Sequence, residues 1–171
     1  VKTPGEPVAL ILSQLADRFG IPQSCQICAG TTDSIAAFLA SRAFQAGEAV
    51  TSLGSTLVLK LLSPVPVEAQ PYGVYSHRLG DLWLAGGASN TGGAVLQQFF
   101  SSQRLAVLSR QIDLAQPNLF NYYPLAAPGE RFPINDPDYL PRLSPRPADD
   151  VAFLYGMLDA IAHIESEGYQ K

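Results

Sequence analysis

A short segment of small and polar residues, Gly30-Thr31-Thr32-Asp33-Ser34, limits the possible folds of this 171-residue chain more than any other feature. It follows the apolar run over residues 24–29, and a helical pattern begins directly after it. That order predicts a strand, a tight turn permitted by Gly30, and the start of a helix. Asp33 or Ser34 can cap this helix. Alternatively, Asp33 faces a ligand at the carboxyl end of the strand, as ligand-binding residues do in open α/β sheets.

Composition and charge exclude several classes of protein. The chain is 47% hydrophobic and only 15% charged, so it can bury a sizeable core. Its net charge is −4 and its 11 Lys and Arg residues are scattered, which argues against a nucleic-acid partner. No apolar run is long enough to span a membrane. The first residues carry neither an initiator Met nor a signal-peptide pattern, so we expect a piece of a longer cytoplasmic protein.

Two cysteines, Cys25 and Cys28, form a C-x-x-C spacing inside the predicted strand. Residues three apart in a strand point to opposite faces, so the two sulfur atoms should not meet. The chain has only two histidines and no second cysteine pair to complete a zinc site. We therefore expect buried, reduced cysteines in a reducing compartment.

Hydrophobic periodicity predicts alternating helices and strands along the rest of the chain. The strands of a predicted hairpin are apolar on both faces, so the sheet should be covered on both sides. A region rich in Pro, Asp, Asn and Tyr is predicted to be a long ordered loop. The predicted helices cover residues 8–19, 35–47, 94–100, 105–114 and 148–167; the strands cover 24–29, 49–53, 57–62, 72–79 and 81–85; and the loop covers 118–147.

Three predicted strands end in turns that combine glycine with hydroxyl residues: Gly30-Thr31-Thr32, Gly54-Ser55-Thr56 and Gly86-Gly87-Ala88-Ser89. Such turns can offer backbone N–H groups and a hydroxyl to a phosphate. The chain has no G-x-x-x-x-G-K-[ST] segment, so a P-loop is excluded. Phosphoryl transfer to an alcohol needs a carboxylate near the phosphates to take or orient the hydroxyl proton, and Asp33 fits that need.

Four segments together resemble the FGGY carbohydrate kinases of the actin and hexokinase superfamily, nearest to their xylulokinase and ribulokinase branch. Residues 29–37 resemble the family's G-x-x-D-x-x-A-A segment, and residues 52–56 resemble its G-T-[ST] phosphate hairpin. Residues 87–91 resemble a turn on the nucleotide side of the cleft. Residues 129–137 resemble the G-E-R-x-P-x-x-D-P loop.

The resemblance implies an ATP-dependent kinase that transfers the γ-phosphate to a hydroxyl of a ketose or polyol, such as xylulose or ribulose. Asp33 would be the catalytic base and would contact the sugar. ATP and Mg²⁺ are the implied cofactors. The implied nucleotide-binding residues are Gly54, Ser55, Gly87, Asn90 and Thr91.

The same resemblance implies an α/β fold with an RNase-H-like mixed sheet flanked by helices and truncated at both ends. Residues 1–171 would form most of the C-terminal nucleotide-binding lobe, because the D-x-G-[ST] loop of the N-terminal sugar-binding lobe and the adenine-binding segment are absent. The missing N-terminal lobe is thus an expected partner, together with the sugar and ATP. The alternative is a non-catalytic fragment, or a sugar-sensing relative that keeps the fold without turnover.

Overall fold

The computed structural model describes residues 2–171, which divide into two compact units. The first unit ends at Ala43, and the second spans Phe44–Lys171. The predicted α/β class is confirmed. The elements in chain order are β1 (Pro7–Leu10), α1 (Ser13–Phe19), β2 (Gln26–Cys28), α2 (Asp33–Ala40), β3 (Ala49–Leu53), β4 (Leu57–Ser63), a 3₁₀ turn (Gln70–Tyr72), β5 (Tyr75–Leu79), β6 (Leu82–Ser89), α3 (Gly93–Phe99), α4 (Ser102–Ser109) and α5 (Asp150–Gly168).

The first unit contains a two-stranded antiparallel sheet, β1 and β2, and two short helices. The helix predicted over residues 8–19 is wrong in its first part, because Ala9 pairs with Ile27 in the sheet and the helix begins only at Ser13. Helix α2 also ends earlier than predicted. Arg42 has a φ of 63°, and this left-handed conformation stops the helix before residue 47.

The cysteines of the first unit are both free, but their expected burial is wrong. Cys28 is exposed and Cys25 is partly exposed. The reason is the sheet itself: every residue of β1 and β2 is exposed within the described chain. The apolar residues of this segment therefore predict a strand correctly, but they do not show whether the strand is buried.

The second unit is organised around an antiparallel sheet in the order β3-β4-β6-β5. The predicted hairpin is confirmed, with Leu53 opposite Leu57 where β3 turns into β4. Strand β4 is mostly buried, whereas Leu53 of β3 is exposed. Coverage on both faces is thus correct for β4 and wrong for β3, in which no residue is fully buried.

Strand β6 is longer than predicted, and the third glycine-hydroxyl turn is wrong. The segment Gly86-Gly87-Ala88-Ser89 continues the strand and pairs with β4, with Ser89 opposite Leu57. A β-carbon on Gly86 would lie 1.9 Å from the carbonyl oxygen of Leu59. Gly86 therefore serves close packing between strands rather than chain reversal.

The core of the second unit lies between the sheet, α5 and the region 118–147, which is ordered without a regular helix or strand, as predicted. Backbone bonds between Tyr123 and Arg142, 2.8 and 2.9 Å long, close this region on itself. Within residues 2–171 no helix is long and apolar enough to cross a membrane. The buried residues of this cluster include Leu57, Leu59, Leu108, Leu125, Phe132, Phe153, Leu154 and Met157.

The N-terminus of α5 is capped by Asp149, whose Oδ1 accepts the Val151 amide at 3.0 Å and whose Oδ2 accepts the Ala152 amide at 3.3 Å. We expect Asp149→Ala to lower the free energy of unfolding by about 0.5–2 kcal/mol, since two amides lose their acceptor. Asp138→Ala is the matched control because Asp138 is an exposed aspartate of the region 118–147, which precedes α5. This substitution should change the free energy of unfolding by less than about 0.5 kcal/mol. Urea denaturation checks both, and equal midpoints for Asp149→Ala and the parent would contradict the capping role.

Candidate functional site

The hairpin tip, residues 54–56 between β3 and β4, offers polar groups without protein partners. The Gly54 amide donates to the Thr56 carbonyl at 3.1 Å, which fixes the turn. Across residues 2–171, no protein acceptor takes the amide hydrogen of Ser55 or Thr56, and neither hydroxyl has a hydrogen-bond partner. Ser55 is exposed and Thr56 is partly buried. The tip can therefore present N–H and O–H donors to an anion, as predicted for phosphate-binding turns.

A second turn, residues 90–92, connects β6 to α3 and packs against the hairpin tip. The Leu57 amide donates to the Thr91 carbonyl at 2.8 Å. The Gly93 amide donates to the Gly54 carbonyl at 2.8 Å, and the Ala94 amide donates to the Ser55 carbonyl at 3.1 Å. The first amides of α3 are thus occupied by the tip, so the start of this helix does not offer them to a ligand.

The glycines at this junction differ in what surrounds them. A β-carbon on Gly93 would lie 2.7 Å from the Gly54 carbonyl oxygen, so the two backbones touch directly. A β-carbon on Gly54 would meet nothing closer than the Thr56 oxygen at 3.9 Å. Packing within the described chain explains the glycine at position 93 but not the one at position 54. Glycine at the tip leaves the backbone open to approach from outside.

The structure brings Asn90 and Thr91 next to the hairpin tip, but their side chains are engaged or buried. The Asn90 amide group donates to the Gly129 carbonyl at 2.9 Å, and its oxygen accepts from the Arg131 Nε at 2.7 Å. Thr91 is fully buried, and its hydroxyl has no hydrogen-bond partner within residues 2–171. Both residues therefore build the turn, and their side chains are poorly placed for the direct nucleotide contact that the resemblance implied.

Gly87 lies within β6, two residues before the end of the strand, and is buried. A β-carbon there would come within 2.2 Å of the Phe132 ring. The aromatic ring covers the face of the strand where a ligand would have to approach. The expectation that Gly87 binds nucleotide is therefore not supported by its position.

Glu130 is the residue of this region to which the sequence alone assigned no role. Its side chain is only 2% exposed. One carboxylate oxygen accepts the Asn90 and Arg131 amides at 2.7 and 2.8 Å, and the other accepts the Ser89 and Tyr123 hydroxyls at 2.7 and 3.0 Å. The only sequence signal was the Gly-Glu-Arg segment of the family-like loop, which does not show what the glutamate contacts.

The phenol of Tyr123 is held in its protonated form in this network. Burial raises the pKa of Tyr123 strongly, and the nearby negative charge of Glu130 raises it further. The hydroxyl therefore remains a hydrogen-bond donor to the carboxylate across the physiological pH range. Glu130 and Tyr123 thus form a stable donor–acceptor pair beneath the turn.

Asp33 is the first residue of α2, in the first unit, and its side chain is exposed. Its Oδ1 accepts the Ser34 amide at 2.7 Å. The predicted capping by Asp33 or Ser34 is wrong, because Thr32 precedes the helix and its hydroxyl accepts the Ile35 amide at 3.3 Å. Helix capping therefore does not explain why an aspartate occupies position 33. Among residues 2–171 no further hydrogen bond to its carboxylate is present.

Comparison with known proteins identifies the fold. No protein-family model matches this chain. A ligand-bound xylulose kinase from Lactobacillus acidophilus matches with a TM-score of 0.78 and 16% identity over 96% of this chain and 36% of that chain. A gluconate kinase from the same organism matches with a TM-score of 0.76 and 17% identity over the same shares. A xyloylose kinase from Brucella ovis matches with a TM-score of 0.72 and 21% identity over 98% of this chain and 36% of that chain.

All three of these structures are sugar kinases. The chain spans 36% of the length of each of them. Identities of 16–21% establish common architecture and not common chemistry. The chain therefore has the fold of one part of a sugar kinase.

Proposed function

We propose that this chain is most of the C-terminal, nucleotide-binding lobe of an ATP-dependent carbohydrate kinase of the FGGY type. The complete enzyme would transfer the γ-phosphate of ATP to a hydroxyl of a ketose or polyol, and the N-terminal lobe would supply most of the sugar contacts. The observation that carries this proposal is the hairpin tip, where the Ser55 and Thr56 amides and hydroxyls have no partner within residues 2–171. The shared sugar-kinase fold and the segment around Asp33 support it.

The donor set of the hairpin tip fits the phosphates of a nucleotide. Backbone amides and small hydroxyls bind phosphate oxygens without a cationic side chain, and Gly54 leaves room for close approach. Among residues 2–171 no three His, Cys, Asp or Glu side chains are grouped as a metal site would require. Mg²⁺ would be held mainly by phosphate oxygens, as it often is. Bound Mg-ATP supplies the phosphoryl group and the counter-charge.

Asp33 is suited to act as the general base. It is exposed at the start of α2, and among residues 2–171 only its Oδ1 is engaged, by the Ser34 amide. That bond orients the carboxylate and leaves Oδ2 to accept the proton of a sugar hydroxyl. Closure of the two lobes of the complete enzyme would exclude water from this step.

Ser55→Ala in the complete kinase should weaken the affinity for Mg-ATP by roughly 1.5–3 kcal/mol, the usual contribution of a hydrogen bond to a charged group. The KM for the sugar should not change, because the hydroxyl is proposed to contact phosphate. Ser52→Ala is the matched control, since Ser52 is an exposed serine of β3 in the same hairpin. Steady-state kinetics with both substrates varied gives the two KM values. Identical KM values for Mg-ATP in the two variants would remove Ser55 from the site.

The proposed function is tested by expressing the complete protein that contains this chain and measuring ADP release with a panel of ketoses and polyols. We expect one or a few of these sugars to stimulate ADP release strongly. Binding of Mg-ATP without stimulation by any sugar would instead support the sugar-sensing alternative. Failure to bind Mg-ATP at all would overturn the proposal.

A further inference from the structure

Glu130 is an unusual carboxylate for the interior of a small unit. It is 2% exposed, and among residues 2–171 no Lys, Arg or His forms an ion pair with it. Its four close partners are two hydroxyls and two backbone amides. A carboxylate buried without an ion-pair partner is costly unless its oxygens accept hydrogen bonds, and here both oxygens do. What the carboxylate provides is two acceptor atoms that join the end of β6 to two parts of the region 118–147.

The network therefore involves the end of β6 and the region 118–147, to which Glu130 itself belongs. Ser89 and Asn90 come from the end of β6, where the chain leaves the sheet and enters the turn 90–92. The Ser89 hydroxyl also accepts the Thr91 amide at 3.0 Å, which extends the network into the turn. Tyr123 comes from the region 118–147. The carboxylate thus anchors the turn to the rest of the unit.

The turn in its own right holds the hairpin tip by direct backbone contacts. The Thr91 carbonyl accepts the Leu57 amide, and the amides of Gly93 and Ala94 donate to the carbonyls of Gly54 and Ser55. A β-carbon on Gly92 would lie 2.8 Å from the Ser55 oxygen, so no side chain separates the two segments. A displacement of the turn is therefore passed to the tip without a compliant layer between them.

We propose that Glu130 is the positioning residue of the phosphate-binding tip: its carboxylate fixes the turn 90–92, and the turn fixes the backbone of Gly54 and Ser55. This inference rests on the proposed function only for the expected effect on nucleotide binding, because the hydrogen-bonded link from Glu130 to the tip is independent of any ligand. Glu130 touches no nucleotide in this scheme. It sets the direction of the Ser55 and Thr56 amides before the nucleotide binds, and such preorganisation raises affinity.

A direct electrostatic effect of Glu130 predicts the opposite result. Removing a negative charge near a phosphate site would strengthen the binding of a polyanion. If Glu130 acts by positioning, the glutamine side chain in Glu130→Gln can still accept the Asn90 and Arg131 amides. It would, however, turn an NH₂ group toward the Ser89 and Tyr123 hydroxyls. Binding should then weaken moderately, and Glu130→Ala should weaken it further.

The experiment uses the complete kinase with four variants: Glu130→Ala, Glu130→Gln, Ser89→Ala and the control Asp159→Ala. Ser89→Ala is a small change that removes one link of the network, so it remains informative if Glu130→Ala does not fold. Asp159 is a hydrogen-bonded carboxylate of α5 with partners at Asn118 and His163, away from the turn. Each variant is characterised by deuterium uptake without ligand, by KM for Mg-ATP and for the sugar, and by Tm.

Without ligand, Glu130→Ala and Ser89→Ala should accelerate deuterium uptake of a peptide covering residues 92–95 by about tenfold, because the Gly93 and Ala94 amides lose their fixed acceptors. Asp159→Ala should leave this peptide unchanged even if its Tm falls. With Mg-ATP, the KM should rise by roughly tenfold for Glu130→Ala and less for Glu130→Gln, with the KM for the sugar unchanged.

The outcomes separate this proposal from the proposed function. Parent-like deuterium uptake in Glu130→Ala or Ser89→Ala would overturn the positioning role. A lower KM for Mg-ATP in Glu130→Gln would overturn it as well, in favour of a direct electrostatic effect. Accelerated uptake in a protein that never binds Mg-ATP would leave the mechanical link established and refute the kinase proposal instead.

Discussion

Asp33→Asn in the complete kinase should lower turnover by about 10²–10⁴-fold, the usual effect of removing a general base. The asparagine Oδ1 can still accept the Ser34 amide, so the start of α2 should keep its conformation. Thr32 provides the helix cap in either case. The Tm and the affinity for Mg-ATP should therefore remain close to those of the parent, and the loss should appear in kcat at saturating sugar and nucleotide.

The matched control for this substitution is Asp81→Asn. Asp81 is a fully exposed aspartate between β5 and β6, and its nearest cation is Arg78 at 3.8 Å. Its replacement should leave turnover unchanged, because a surface pair of this length contributes little. Parent-like kcat for Asp33→Asn would show that Asp33 is not the base. A large drop in Tm for that variant would mean that Asp33 is needed for folding.

Phe153→Ala should lower the free energy of unfolding by about 3–5 kcal/mol, the largest stability effect that we expect from a single change in the second unit. Phe153 lies on α5 and is 1% exposed. Its ring contacts Phe99 of α3 edge-on, with centroids 5.1 Å apart, and Tyr122 of the region 118–147 at 5.7 Å. The Arg146 guanidinium lies over the same ring at 4.7 Å. Truncation would open a cavity at the junction of three segments.

Phe44→Ala makes the same chemical change at a position where the side chain is 65% exposed. It should alter stability by less than about 0.5 kcal/mol, since little packing is lost. Guanidinium denaturation of both variants, with the parent alongside, measures the difference. A loss below about 1 kcal/mol for Phe153→Ala would mean that the surrounding aromatic rings collapse into the space and that the junction is less rigid than the structure indicates.

Local sequence patterns were sufficient to predict several elements of the fold. The Gly54-Ser55-Thr56 turn between two apolar runs predicted the hairpin of β3 and β4, and the apolar residues on one helical face predicted α5. The absence of any period over residues 118–147 predicted an ordered region without regular structure. The same local reading placed Asp33 at a helix start and Ser55 at an exposed turn.

Sequence patterns alone were thus sufficient to predict the α/β class, the hairpin with its hydroxyl-bearing tip, and the helix start at which Asp33 lies. Only the tertiary structure decided that Gly86 and Gly87 continue β6, because their need for glycine comes from Leu59 and Phe132, which are distant in sequence. It also decided the role of Glu130, whose partners Ser89 and Tyr123 are brought together by the sheet and the region 118–147. Local propensity describes a residue's neighbours along the chain, whereas close backbone approach and a buried hydrogen-bond network depend on segments that meet only in the folded protein.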